Sequence, residues 1–166
     1  FCLSRGLGDV YKRQRDCFRH AGYAVDVPGG AVSHQAGQWR YGRPYMLTDR
    51  IVRNVTGVSS ALLMIRRDVF LSVGGFSAYQ SDLRGADLGL KCQQIGLLNV
   101  YTPYARMAMD MRLSLLPPCL TQGAPKGDLR RFRQTWGAHP PERYYSPLFR
   151  PDGSMFIDLD RQEETP

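Results

Sequence analysis

The stretch Val55–Ala105, VTGVSSALLMIRRDVFLSVGGFSAYQSDLRGADLGLKCQQIGLLNVYTPYA, constrains the fold more than any other part of this chain. Ala61–Ile65 is a continuous apolar run, the pattern of a strand covered on both faces, so Asn54–Ile65 is expected as one strand. Arg66-Arg67-Asp68 then starts a short helix, with Val69, Phe70 and Val73 at helical spacing. Gly74-Gly75 ends it, because glycine takes the left-handed conformation of a helix terminus without steric cost. Ser77–Gly85 reads as a loop and Ala86–Gln94 as a second helix, with Leu88, Leu90 and Ile95 partly toward the core and Gly96 closing it. Leu97–Thr102 reads as a strand stopped by Pro103. Alternation of strands and helices at this spacing predicts a layered α/β domain.

The flanks are less regular. Asp9–Gln14, DVYKRQ, resembles the in-frame translation of a sequencing adapter, and residues 1–14 are set aside on that ground. Without Arg5, Lys12 and Arg13 on one side and Asp9 on the other, the formal net charge falls from +7 to +5. A modest positive charge suits phosphate-bearing ligands, anionic membrane surfaces or nucleic acid and selects none of them. Ala21–Val27 and Ala31–Ser33 read as short strands around a Pro28-Gly29-Gly30 turn, and Gln38–Asp49 as a loop. Asp128–Trp136 is a basic amphipathic helix carrying Leu129, Phe132 and Trp136, and the tail ERYYSPLFRPDGSMFIDLD is aromatic and turn-rich, expected to lie across the domain. Residues 161–166 form a polar end.

Several classes of site find no support in the spacing. Cys17, Cys92 and Cys119 are widely separated with no CxxC pair, which predicts reduced thiols rather than a zinc site or a disulfide set. His20, His34 and His139 have no metal-ligand spacing with them. No apolar run approaches the roughly 18 residues of a membrane span.

Taken in order, Asn54-Val55-Thr56-Gly57, Arg66-Arg67-Asp68-Val69-Phe70, Val73-Gly74-Gly75-Phe76, Asp87-Leu88-Gly89-Leu90-Lys91 and Asn99-Val100-Tyr101-Thr102-Pro103-Tyr104-Ala105 resemble family 2 glycosyltransferases of the polysaccharide and O-antigen type. His20-Ala21-Gly22 upstream, and Trp136 with Arg143-Tyr144-Tyr145-Ser146-Pro147 downstream, extend the resemblance. It implies that residues 15–160 are the C-terminal, acceptor-side part of a GT-A fold, Rossmann-like in its other half. It implies an inverting sugar transfer from a nucleotide-diphospho-sugar to a saccharide or lipid-linked acceptor, in surface polysaccharide synthesis of a bacterial cell envelope. The implied place is the cytoplasm, with peripheral association at the inner face of the plasma membrane, no transmembrane segment and no nucleic acid. A divalent ion, Mg²⁺ or Mn²⁺, is expected for the whole enzyme, and its aspartate motif falls outside this chain.

The resemblance also distributes roles. Asp87 matches the last aspartate of the family's acidic string and is expected in the first turn of its helix, either as base or acceptor-orienting group or as a simple cap. The usual base position falls on Gly85, and the intervening segment is one residue short, so either Asp82 reaches the site instead or no carboxylate does. Gly74, Gly75 and Phe76 either let backbone approach the acceptor or end a helix and fill the core. Thr56 and Gly57 are a second candidate contact. Where relatives carry a metal–diphosphate histidine this chain reads Met109, leaving Asp110 as the oxygen ligand nearby. These departures motivate an alternative, a catalytically degenerate GT-A descendant that binds sugars or a partner. A third reading, a basic nucleic-acid module, rests on Arg130-Arg131-Phe132-Arg133.

Overall fold

In the computed structural model the described residues are 2–5, 20–25, 30–34, 48, 50–105, 124–138 and 140–158. In chain order they form β1 (Cys2–Arg5), β2 (Tyr23–Ala24), β3 (Val32–Ser33), β4 (Arg53–Val55), α1 (Arg67–Ser72), α2 (Leu83–Gln94), β5 (Asn99–Thr102) and α3 (Lys126–Trp136). The architecture is mixed α/β. β5 is the centre of a small sheet, with β1, from the adapter-like segment, parallel on one side and β4 antiparallel on the other. β2 and β3 form an antiparallel pair, and β2 is tied to the segment after β4 where the Tyr23 amide donates to the Gly57 carbonyl.

Three apolar clusters hold these pieces. Val25, Tyr79, Leu83, Ala86, Leu90 and Phe132 join α2 to α3. Ala21, Val55, Val58 and Tyr101 sit between the sheet and the segment after β4. Ala24, Tyr145 and Met155 fix the tail on the β2–β3 pair, as expected of that aromatic segment. There the Phe149–Ile157 bridge closes a turn, and a Cβ on Gly153 would stand 2.4 Å from the Ser33 carbonyl.

The expected strand Asn54–Ile65 is corrected: the strand proper is Arg53–Val55, beyond it Gly57 and Met64 make only isolated bridges, and the run Ala61–Ile65 is half-buried or exposed. The cause is local. Ser59 Oγ accepts from the Ala61 amide and the Ser59 carbonyl from Leu62, a serine turn that competes with strand pairing. The second helix is also corrected, since it begins at Leu83 rather than Ala86. Amides of Arg84 and Gly85 bond back to the carbonyls of Ser81 and Asp82 and start it early. Ile95 lies beyond the helix and is exposed, whereas Leu88 and Leu90 are buried as expected. Residues 97–98 precede the β5 strand proper, which stops before Pro103. Gly74 and Gly75 do end α1, both with positive φ, and their amides bond to the carbonyls of Leu71 and Phe70. Phe76 is not core: it is 41% exposed and meets Phe70 edge-on at 5.3 Å. Residues 161–166 lie outside the described residues.

Candidate functional site

The site grows from how closely α2 crosses the segment Thr56–Ser60. A Cβ on Gly85 would stand 2.2 Å from the Val58 carbonyl oxygen, and one on Gly89 2.4 Å from that of Thr56. From the other side, a Cβ on Gly57 would stand 2.8 Å from Ala86 Cα. Backbone therefore packs on backbone, and no side chain of any kind fits at position 85. The resemblance places a carboxylate there; in this packing that position must be glycine.

Asp87 sits two residues further along, in the second turn of α2. The expected place in the first turn is thereby corrected, and the favourable field of the helix start is mostly spent by that depth. Side-chain donors replace it. Asp87 Oδ2 accepts from Ser77 Oγ at 2.7 Å and faces Lys91 Nζ at 2.9 Å, while Oδ1 accepts from Trp136 Nε1 at 2.9 Å. Lys91, one turn along the same helix face, also donates to Ser77 Oγ and to the Gly75 carbonyl. With 0% of its surface exposed, Asp87 ties the Gly-Gly-Phe turn, α2 and α3 together and is shut off from solvent.

Asp82 is the contrasting carboxylate. It occupies the N-cap of α2 without capping it, is half-buried, and receives one long bond, 3.4 Å, from Ser60 Oγ. Between Phe76 and Asp82 the loop is pinned from several directions. Asp128 Oδ2 accepts from the Gln80 and Ser81 amides and from Ser81 Oγ at 2.7–2.9 Å, and Arg131 donates to the Ala78 carbonyl. The loop is thus a rigid platform presenting an aromatic ring near one end and a reachable carboxylate at the other.

Thr56 and Gly57 are interior. Thr56 Oγ1 donates to Glu142, and its carbonyl accepts from Asn99 Nδ2 at 2.9 Å and Gln93 Nε2 at 3.2 Å. Both residues therefore have packing roles and no open surface. Met109 and Asp110 lie outside the described residues. Among the described residues no group of three or more His, Cys, Asp or Glu side chains comes together around a common point. No helix among them is long and apolar enough to cross a membrane.

Two polar centres escaped the sequence reading. Glu142 accepts from the Val25 amide, from Thr56 Oγ1 and from the Tyr144 and Tyr145 amides, fastening the tail to β2. Its one cue is a lone carboxylate two residues before the aromatic pair Tyr144-Tyr145. The other is a buried cluster of His20, His34 and Arg53. His20 Nε2 accepts from the Ser59 amide at 2.9 Å and the Gly22 amide at 3.2 Å, so its proton sits on Nδ1, against Ser33 Oγ. Burial, reinforced by the nearby Arg53 charge, pushes the His20 pKa down to about 3. His34 is held well below the usual histidine range by burial and then by Arg53 and His20. Burial brings Arg53 down to about 10, against the raising influence of Tyr101, whose ring it covers at 5.3 Å.

Comparison of the chain with protein-family models, with curated proteins and with solved structures finds no match.

Proposed function

We propose that this chain is the acceptor-side part of an inverting family 2 glycosyltransferase with a GT-A fold. On this reading it moves a sugar from a nucleotide-diphospho-sugar to a saccharide or lipid-linked acceptor. The observation that carries the reading is the pinned loop from Phe76 to Asp82. A half-exposed aromatic face and a reachable carboxylate, held without freedom to reorganise, suit a polyhydroxylated ligand: the ring stacks on the sugar and the carboxylate accepts from a hydroxyl. The ordered sequence pieces supply the rest of the support.

In this mechanism Asp82 takes the proton of the acceptor hydroxyl as its oxygen attacks the anomeric carbon. The sugar–phosphate bond breaks on the opposite face and the nucleoside diphosphate leaves with the electron pair. Asp87 touches no substrate; it is a positioning residue that holds the loop through Ser77, Lys91 and Trp136. A divalent ion would neutralise the leaving diphosphate. The described residues supply no ligand set for one, so every role assigned here belongs to the chain's own side chains.

A positioned base contributes about 10²–10⁴-fold, so Asp82→Asn, made in the whole enzyme that this reading implies, is expected to lower sugar transfer at least a hundredfold with an unchanged melting temperature. Full transfer by that variant would remove Asp82 from the mechanism. One observation favours a second reading, a degenerate GT-A descendant that only binds: Gly85, where the resemblance places the base, is closed by the Val58 carbonyl. Saccharide binding with no transfer under any metal would select it.

A further inference from the structure

The crossing of α2 over Val58–Ser60 does more than close position 85. A Cβ on Gly85 would also stand 3.0 Å from the Ser60 amide nitrogen, so Ser60 is held against the start of the helix. Its hydroxyl meets two helix residues at once: Ser60 Oγ donates to Asp82 Oδ1 at 3.4 Å and accepts from Arg84 Nε at 3.0 Å. The two charged side chains thus flank one hydroxyl, and among the described residues they close no ion pair with each other. Arg84 spends Nε on Ser60, and no other hydrogen bond joins this half-buried side chain to the described residues. Neutralising Asp82 would call for direct contact. An arginine oriented through Nε, with both Nη groups unspent, is arranged instead for a pair of oxygens from outside.

We propose that Arg84, oriented by Ser60 beside Asp82, binds the carboxylate of an acidic saccharide, a hexuronate whose neighbouring hydroxyl meets Asp82. The inference rests on the reading of the Phe76–Asp82 loop as a saccharide platform, and it names the class of saccharide. A carboxylate offers two coplanar oxygens that match the paired N–H groups at the end of a guanidinium. A hexuronate also carries a ring hydroxyl beside its carboxylate, so one sugar satisfies the donor and the acceptor side together. Charge selects carboxylate over phosphate. Asp82 and Arg84 sum to zero, so a carboxylate sets one negative charge near one fixed anion, whereas a phosphate monoester would bring about two. A neutral hexose would leave the guanidinium fork facing water.

The test is an NMR titration of the full chain with methyl glucuronide, methyl glucoside and glucosyl phosphate. The first two differ only in a carboxylate where the glucoside has a hydroxymethyl group. Hydrogen bonds to a charged group are worth about tenfold or more in affinity, so the glucuronide is expected to bind tighter by at least that factor, and less so as salt is raised. Arg84→Gln is expected to bind the two sugars alike. Arg84→Lys, which keeps the charge without the fork, is expected to retain part of the preference. Ser60→Ala, which frees the guanidinium to turn and leaves Arg84 in place, is expected to weaken it as well. Equal binding of glucuronide and glucoside by the parent, no binding of either, an undiminished preference in Arg84→Gln, or tighter binding of glucosyl phosphate would each overturn the proposal. Selective binding with no transfer by the whole enzyme would sink the transferase reading and keep the acidic subsite. Transfer to neutral acceptors alone would sink the subsite and keep the transferase.

Discussion

The α2 crossing and the α1 turn are both built on glycines, and they use them in opposite ways. At Gly85, Gly89 and Gly57 the missing side chain makes room for another stretch of backbone. At Gly74 there is nothing within 4 Å of where a Cβ would stand, and positive φ alone calls for glycine. The crossing is buried throughout, and its polar groups are matched by Asn99, Glu142 and His20. α1 has no buried residue, and its turn leaves Phe76 open to solvent. Rigidity belongs to one region and accessible chemistry to the other. The Asp87–Lys91–Ser77 cluster is the joint that passes the first to the second.

The sharpest way to break this contrast is to add one methyl group on the crowded side. Gly85→Ala pushes a Cβ into the Val58 carbonyl, which belongs to backbone and cannot rotate away, so a loss of about 3 kcal/mol or more in urea unfolding is expected. A loss under about 1 kcal/mol, the scale of an ordinary helix-surface change, would mean that α2 does not cross this closely. The joint comes next. Asp87→Asn keeps an acceptor for Trp136 but leaves Lys91 without its carboxylate, for an expected loss of about 2–3 kcal/mol. Lys91 retains a route to solvent, at 21% side-chain exposure, which keeps the cost below the roughly 3–5 kcal/mol of a fully enclosed pair. Full stability in Asp87→Asn would leave the α1 turn held by something else.

Acid should undo the same side. Above pH 6.5 His20 is neutral in folded and unfolded chains alike. Below that the unfolded chain takes up a proton that the folded one refuses until about pH 3, so the loss of stability grows as pH falls through this window. Between pH 7 and 5, His20 alone is expected to remove about 2 kcal/mol, with His34 acting in the same direction. The measurement is the urea midpoint against pH; a flat profile over that range would show that the Ser59 amide does not depend on a neutral imidazole.

How much of this could be read beforehand follows the same division. The C-terminal ends of the helices, the Gly74-Gly75 stop and the β5 strand before Pro103 were legible, because local conformational preference decides them. Leu88, Leu90 and Phe132 were legible as buried because large apolar side chains leave water, although α2 is buried all round from Gly85 to Leu90. Gly85 was not, since glycine read along the chain signals a loop, and only the crossing of two distant segments turns it into a contact surface. Ala61–Ile65 failed for the complementary reason: apolar content predicted a continuous strand that the Ser59 turn interrupts. Among the site residues, Asp87 stood out by its pattern, but its partners Ser77, Lys91 and Trp136 come from three elements, so its burial was beyond any local reading. Asp82 came to the N-cap of α2, half-buried, because the helix starts earlier than its sequence pattern suggests.

The smallest expected effect tests the open side of the contrast. Gly74→Ala meets no atom, so the cost is conformational alone: an L-residue in the left-handed region loses about 1 kcal/mol relative to glycine. That lies well below the Gly85→Ala figure although the two substitutions add the same atom. The separation between them measures how much of a glycine's necessity is contact and how much is φ. Losses of equal size would mean that the α1 turn is buried against something that joins the domain there, and that Phe76 is core after all. A loss near 1 kcal/mol, with the α2 crossing far more sensitive, would leave the turn free to meet a ligand.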